Sequence, residues 1–311
     1  MAKTYGSELL QGTAVSSFWN GFLNFPDPFA DLISRRDSVQ STDTYTWLGS
    51  APMPEDTAGA SAEVKSANEY SYTAKNIHYK AAVRVAARLI KYEQWDEIGN
   101  LLSNMGAKAA AHQAKLATLL LEAGFATTTY DSQFFFDIDH SDPGAEYTTS
   151  QDNFTTTNIT DPAAPTAAEA NTALEDHFST MLGWKDDRGD PFSPSLTHTP
   201  GTTVVMIPPG YWSSFHQILT AETLAAAGDN ALQGTFELRV NPFATQTDHF
   251  YSFWKNVPHK PIIVQETGGV MLENNMGADE NVLTGDVIYT ATWWGKVQYG
   301  QWRTAHGQTF T

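Results

Sequence analysis

The sequence predicts a mixed α+β fold, on three observations. Between Trp95 and Phe125, apolar residues recur at 98, 101, 102, 105, 109, 116, 119 and 120, the three-and-four spacing of one buried helix face. The segments TDTYTWLG and EYSYTAKNIHYKAAVRV before it, and TTVVMIPPG, GTFELRVNPF, FYSFWKN and KPIIVQETGGV after it, alternate or run apolar as strands do. No internal repeat is visible.

Taken in order, residues 1–40 read as an arm. FWNGFLNFPDPFADLI carries aromatics at 18, 19, 22, 25 and 29, and Pro26 and Pro28 stop any long helix there. So apolar a segment needs a surface to cover it, its own domain's or a neighbour's. Residues 41–80 read as a long hairpin, whose tip within 49–68 is rich in Gly, Ala, Ser and Pro. Such a protruding hairpin is unusual in a monomer. A helix over about 95–124 follows, stopped at Gly124 and roughly 40 Å long at 1.5 Å per residue, a structural spine. Residues 141–163 form a Thr/Asp/Pro-rich loop, and 165–182 a helix with Pro165 at its start and Glu169 in its first turns. TTVVMIPPG is a buried strand, YWSSFHQILTAETLAAAG a helix ended by Gly228, and the tail from Asp286 a pair of long strands.

Composition narrows the function. The chain of 311 residues is sized for one or two domains, and 41% hydrophobic with 17% charged residues is globular rather than disordered. No apolar run approaches the roughly 18 residues of a membrane span, so no membrane association is expected. The N-terminus, with one Lys and no continuous apolar core, makes a poor signal peptide. Zero cysteines exclude disulfides, thiolate metal sites and thiol nucleophiles, and fit a reducing cytosol. The net charge of −17 is uneven: residues 1–120 carry 11 Lys/Arg against 12 Asp/Glu, residues 121–311 carry 7 against 23. The acidic part repels nucleic-acid phosphates, which argues against sequence-specific DNA binding. Lys75, Lys80, Arg84, Arg88 and Lys91 read as a solvated strand face rather than a phosphate- or neighbour-facing patch.

The one constellation suggestive of chemistry is YDSQFFFDIDH, residues 130–140. Asp137, Asp139 and His140 supply metal-ligand types, but on a strand the two aspartates share a face and His140 points away. Phe134 to Phe136 read as an anchor, with the polar residues capping backbone groups of a turn. The chain has no G-x-S-x-G, no phosphate-cradling glycine loop and no H-E-x-x-H. Arg188-Gly189-Asp190 matches an adhesion tripeptide but sits in KDDRGDPF, an ordinary turn sequence. No catalytic, cofactor-binding or metal residue is therefore expected. Aromatic residues are abundant instead, with nine Trp, twelve Tyr and seventeen Phe, many in segments unable to bury them locally. Aromatics are enriched in protein–protein interfaces.

TDTYTWLG, LLSNMGAKAAAHQAKLATLLLEAGF leading into TTTYDSQFFFDIDH, TTVVMIPPGYWSSFHQIL and KPIIVQETGG resemble, in order over about residues 15–300, the major head subunit of Mu-like tailed phages. The likeness is strongest at 42–49 and 120–140, and Ser132 stands where that family tends to have glycine. The resemblance implies the Hong Kong 97 capsid fold. Its parts would be an N-terminal arm (1–40), an E-loop hairpin (41–80), a P-domain with the spine helix (81–140), an A-domain (141–284), and closing P-domain strands (285–311). It implies a virion protein, assembled in the host cytoplasm as hexamers and pentamers of itself into an icosahedral head around double-stranded DNA. Portal, scaffold and decoration proteins would be its partners. Phe18, Trp19, Phe22, Tyr45, Trp47, Met53 and Lys65 are the expected inter-subunit contacts. Lys65 and Lys75 lie near the loop through which some relatives cross-link, but a non-covalent shell is expected. The alternatives are an acidic, aromatic-rich virion surface or binding module that exposes Arg188–Asp190, and a metal-dependent hydrolase using Asp137, Asp139 and His140.

Overall fold

The computed structural model describes residues 2–51, 69–192, 201–224, 228–275 and 285–311. Two sheets and a connecting helix organise them. The four-stranded sheet has the order β1-β11-β12-β4, from β1 (Ile33–Asp37), β11 (Ile262–Asn274), β12 (Val287–Tyr299) and β4 (Ile77–Val85). The five-stranded sheet has the order β5-β13-β10-β6-β9, from β5 (Phe154–Thr157), β13 (Ala305–Phe310), β10 (His249–Trp254), β6 (Thr203–Ile207) and β9 (Glu237–Val240). A separate hairpin pairs β2 (Thr42–Leu48) with β3 (Glu69–Lys75), in a register running from Thr42↔Lys75 to Leu48↔Glu69. A minor ribbon pairs β7 (Thr223–Leu224) with β8 (Gly228–Asp229).

The spine α3 (Trp95–Ala123) joins the two halves. Its first turns put Ile98, Leu102 and Met105 into the smaller core with Val85, Val287 and Tyr289; its last turns put Ala114, Ala117 and Leu121 into the larger one. Here the buried face departs from expectation. Leu119 is exposed, Leu116 and Leu120 are only partly covered, and Ala114, Ala117 and Thr118 face inward. Small side chains bring the helix close to its neighbours, so volume at the contact outweighs hydrophobicity along the sequence.

Residues Ala2–Leu23 form helix α1, which ends before Pro26 and Pro28. It lies along its own spine: Gly99 faces Ser17, Gly21 faces Ser103, and Gly106 faces Phe18 and Phe22. A β-carbon on Gly106 would sit 2.0 Å from the Phe18 carbonyl oxygen, and one on Gly21 still closer to that of Ser103. Only glycine permits so near an approach. Phe29 then enters the larger core, where Arg239 on β9 donates to the Pro28 carbonyl and to both oxygens of Asp31. That guanidinium holds the Asp31 carboxyl down to about 2.

Helix α4 (Ala167–Gly183) opens with a capping box, Thr166 and Glu169 each bonding the other's backbone N–H. Helix α5 (Trp212–Thr220) is shorter than its sequence suggested. Asn230 donates to the carbonyls of Ile218 and Ala221 and so caps the chain there, ahead of β7. The short helix α2 (Ala87–Lys91) leads into the spine.

The tail also differs from the expected pair of strands. β12 pairs with β11 and β4, whereas β13 crosses to the other sheet, between β10 and β5. A single 3-10 turn, Trp302–Thr304, makes the crossing. A boundary at 284 therefore does not follow the sheets: β11 belongs with the four strands and β13 with the five. The β11–β12 pairing bulges between Glu266 and Val270, where Gly268 and Gly269 both take φ 73°. Residues 141–163 contain one short strand, β5, added parallel to β13.

Candidate functional site

YDSQFFFDIDH folds as turns and bends at the crossing point between the sheets, not as a strand. Phe136 slots between Gly124 and Gly307, whose added β-carbons would meet its ring at 2.8 and 2.9 Å, and stacks on Phe125 and Tyr251. Phe135 stacks on Tyr299 at 4.6 Å. These two rings anchor the segment; Phe134, expected to share that role, is 40% exposed. Ser132 has φ 67°, the left-handed region that glycine takes most readily.

The polar residues hold shape. Asp137 accepts from the backbone N–H groups of Phe134 and Ile138. Asp139 is exposed. His140 is fully buried, its Nδ1 2.6 Å from Asp131 Oδ2 and its Nε2 3.1 Å from Asn153 Oδ1, and its ring stacks on Trp302. Both nitrogens are therefore engaged, and Asp137, Asp139 and His140 do not converge. Among the described residues no three His, Asp or Glu side chains gather as a metal site. Asn153 ties the segment to the crossing turn by donating to the carbonyls of Phe135, Trp302 and Ala305.

Beside it lies a buried ion pair. Arg303 Nη1 stands 2.6 Å from Asp142 Oδ2, with side chains 3% and 2% exposed. Tyr130 donates its hydroxyl to Asp142, Arg303 Nε donates to the Lys185 carbonyl, and the guanidinium lies over the Trp302 ring. Burial, with the Asp142 charge, pushes the Tyr130 phenol well above its usual range. Asp131, Asn153, Trp302 and Arg303 were not singled out from sequence; Trp302 and Arg303 meet partners about 150 residues away, which leaves no local pattern.

The expected contact residues fall unevenly. Phe18 is fully buried against its own chain, edge-on to Trp19 and stacked with Phe22, and so is not free to meet a neighbour. The aromatic arm finds its cover on its own spine helix, and Trp19 and Phe22 are half-buried there. Tyr45 is half-buried midway along β2. Met53, Lys65 and the Trp47 side chain lie outside the described residues. The loop end of the β2–β3 ladder is held by Tyr70 against Tyr130 (5.3 Å) and by Ser50, whose N–H donates to Asp187 and whose carbonyl accepts from Arg188 Nε. Arg188 also pairs with Glu146 and its side chain is 7% exposed, which contradicts an exposed Arg188–Asp190 tripeptide.

Lys75, Lys80, Arg84, Arg88 and Lys91 are all exposed but are divided among β3, β4 and α2 rather than lining one strand. Leu101 and Leu119 on the spine, Ile138, and Trp294 stacked on His78 remain large and apolar at the surface.

A hairpin lifted from a four-stranded sheet, a spine helix and a second sheet closed by the C-terminal strand define a viral shell subunit of the Hong Kong 97 type. Solved structures agree on the fold. The JBD30 bacteriophage procapsid subunit matches with TM-score 0.56 and 18% identity over 97% of this chain and 74% of that one. The mature capsid of bacteriophage PhiM1 matches with TM-score 0.58 and 10% identity over 91% and 86%. A virus-like particle from Pyrococcus furiosus matches with TM-score 0.53 and 12% identity over 96% and 98%. The family model of the Mu-like prophage major head subunit gpT matches residues 8–168, and the chain belongs to that family. A Mu-like prophage FluMu major head subunit from Haemophilus influenzae is 26% identical over 124 residues, which is 40% of this chain and 40% of that protein.

Proposed function

We propose that this chain is the major shell-forming subunit of a tailed-phage head, assembling with copies of itself as hexamers and pentamers around double-stranded DNA. The observation that carries the reading is the agreement in fold with capsid subunits over 91–97% of the chain. Its role is then structural rather than enzymatic, and its place is the virion. The acidic part of the chain suits a container that must not grip its contents. In this reading α1, α3 and the four-stranded sheet form the P-domain, the five-stranded sheet with α4 and α5 forms the A-domain, and β2–β3 is the E-loop. Exposed Leu101, Leu119 and Trp294 are surfaces for neighbouring copies. Weak contacts repeated around a closed shell raise effective concentration and make the whole strong. Portal, scaffold and decoration proteins would complete the head.

The test is a deletion. Removing residues 52–66 touches no residue of either core, whereas removing 1–30 strips Phe18 and Phe29 from them. The 52–66 deletion is expected to give folded, soluble subunits that form no shells, read by circular dichroism and sedimentation. Closed shells of normal size from that deletion would overturn the role given to the hairpin.

A further inference from the structure

Between the strand β4 and the spine α3 runs an open groove of about 400 Å³. It exists because its walls carry small residues, Ala81 on β4, Ala109 on α3 and Ala291 on β12, which leave the space between strand and helix unfilled. Leu101, Met105 and Trp293 add to the apolar lining, and Leu101 is 38% exposed, with Ala81 exposed as well. Covering such a surface is favourable in proportion to its apolar area. Three observations indicate what covers it. First, no Asp or Glu lines the groove, whereas Lys80 stands on its β4 wall and Lys108 on its α3 wall, both exposed, and exposed Lys115 follows farther along α3. Second, none of these lysines pairs with a carboxylate among the described residues, whereas Arg84 on the same strand pairs with Asp286. Third, β4 is an edge of the four-stranded sheet, so one side of its backbone is open to an extended segment. The chain itself supplies the complementary charge. Residues 121–311 carry 23 Asp/Glu against 7 Lys/Arg, and Asp139, Asp152, Asp161, Glu175 and Asp176 are exposed.

We propose that the α3–β4 groove is a docking surface for a second copy of this chain, given the shell-forming role on which this rests. The second copy lays an acidic stretch of its residues 121–311 along the groove, apolar side chains inward and carboxylates on Lys80 and Lys108. Complementary charge of this kind sets register and speeds encounter, while the covered apolar surface supplies most of the adhesion. A nucleic acid fits less well, because its binding is driven by phosphate contacts and gains nothing from an apolar floor.

The experiment uses the chain's lack of cysteine, since Ala81→Cys places a single thiol in the groove. In the full chain that thiol is expected to react freely with a small reagent in dilute subunits and to be protected once subunits associate. Lys80→Glu combined with Lys108→Glu should weaken association, read by sedimentation, about tenfold or more, as two exposed charge pairs turn from attraction to repulsion. Added salt should weaken the wild type more than this variant. A thiol that stays reactive in closed shells, or a charge variant that associates as the wild type does, would overturn the groove and leave the shell-forming role standing. No association of the wild type under any condition would overturn both. Protection of the thiol by short double-stranded DNA in dilute subunits would overturn docking of a second copy and give the groove to nucleic acid.

Discussion

Replacing Asp142 by asparagine is expected to destabilise the fold by about 3–5 kcal/mol, the usual cost of leaving one member of a buried ion pair without its partner. The magnitude follows from the surroundings of Arg303. Its guanidinium is 3% exposed, and without the Asp142 charge at 2.6 Å its partners among the described residues are all neutral: the Lys185 carbonyl, the Trp302 ring and the new amide oxygen. At an effective dielectric of 20, opposite charges about 4 Å apart attract by about 4 kcal/mol. Water cannot replace that loss where neither side chain is reached by solvent. A whole domain is stable by about 5–15 kcal/mol, so the variant would be marginal. Urea unfolding followed by circular dichroism gives the number. Arg303→Met should cost a similar amount. Asp142→Leu with Arg303→Met should cost less than either single change, because no charge is left buried alone. A loss below about 1 kcal/mol for Asp142→Asn, the range of exposed pairs, would refute the reasoning.

Three other outcomes are expected. His177 and His306 are fully buried with rings 4.0 Å apart; burial pushes His177 down to about 3, and burial with His177 beside it drives His306 well down too. Unfolded, both titrate near 6.5, so the unfolded chain binds more protons below that pH. The stability they allow is whole above pH 6.5 and is lost as pH falls from 6.5 toward 3, by up to about 1.4 kcal/mol per pH unit for each. His306→Gln should flatten the fall in urea midpoint between pH 7 and pH 5. Ser132→Gly should change stability little, relief of the φ 67° backbone offsetting added freedom in the unfolded chain, while Ser132→Val should cost about 1–2 kcal/mol on thermal melting. Gly106→Val should lift α1 from the spine, seen as rapid proteolysis within residues 2–23 while the rest of the chain resists.

The elements with strong local signals were legible. The spine from Trp95 to its Gly124 stop, the hairpin strands and the helix start after Pro165 with Glu169 in its first turn are set by neighbours in sequence. What escaped depended on distant partners. Nothing in TATWWGKVQYGQWRTAHG tells that β13 leaves its predecessor for another sheet, because the turn at Trp302–Thr304 is fixed by Asn153 and Asp142. The inward face of the spine's second half was misread because leucines mark hydrophobicity, while a tight contact selects alanine. The arm aromatics were assigned to a neighbour because sequence could not show that Gly21 and Gly106 open a seat for them on the same chain. The partners of His140 divide in the same way: Asp131 lies nine residues away in the same segment, whereas Trp302 comes only with the fold.

The most direct measurement is electron microscopy of the purified, full-length chain. Closed shells, or rings of five and six copies, are expected. A uniform population of monomers under all conditions of concentration and salt would contradict a shell-forming subunit.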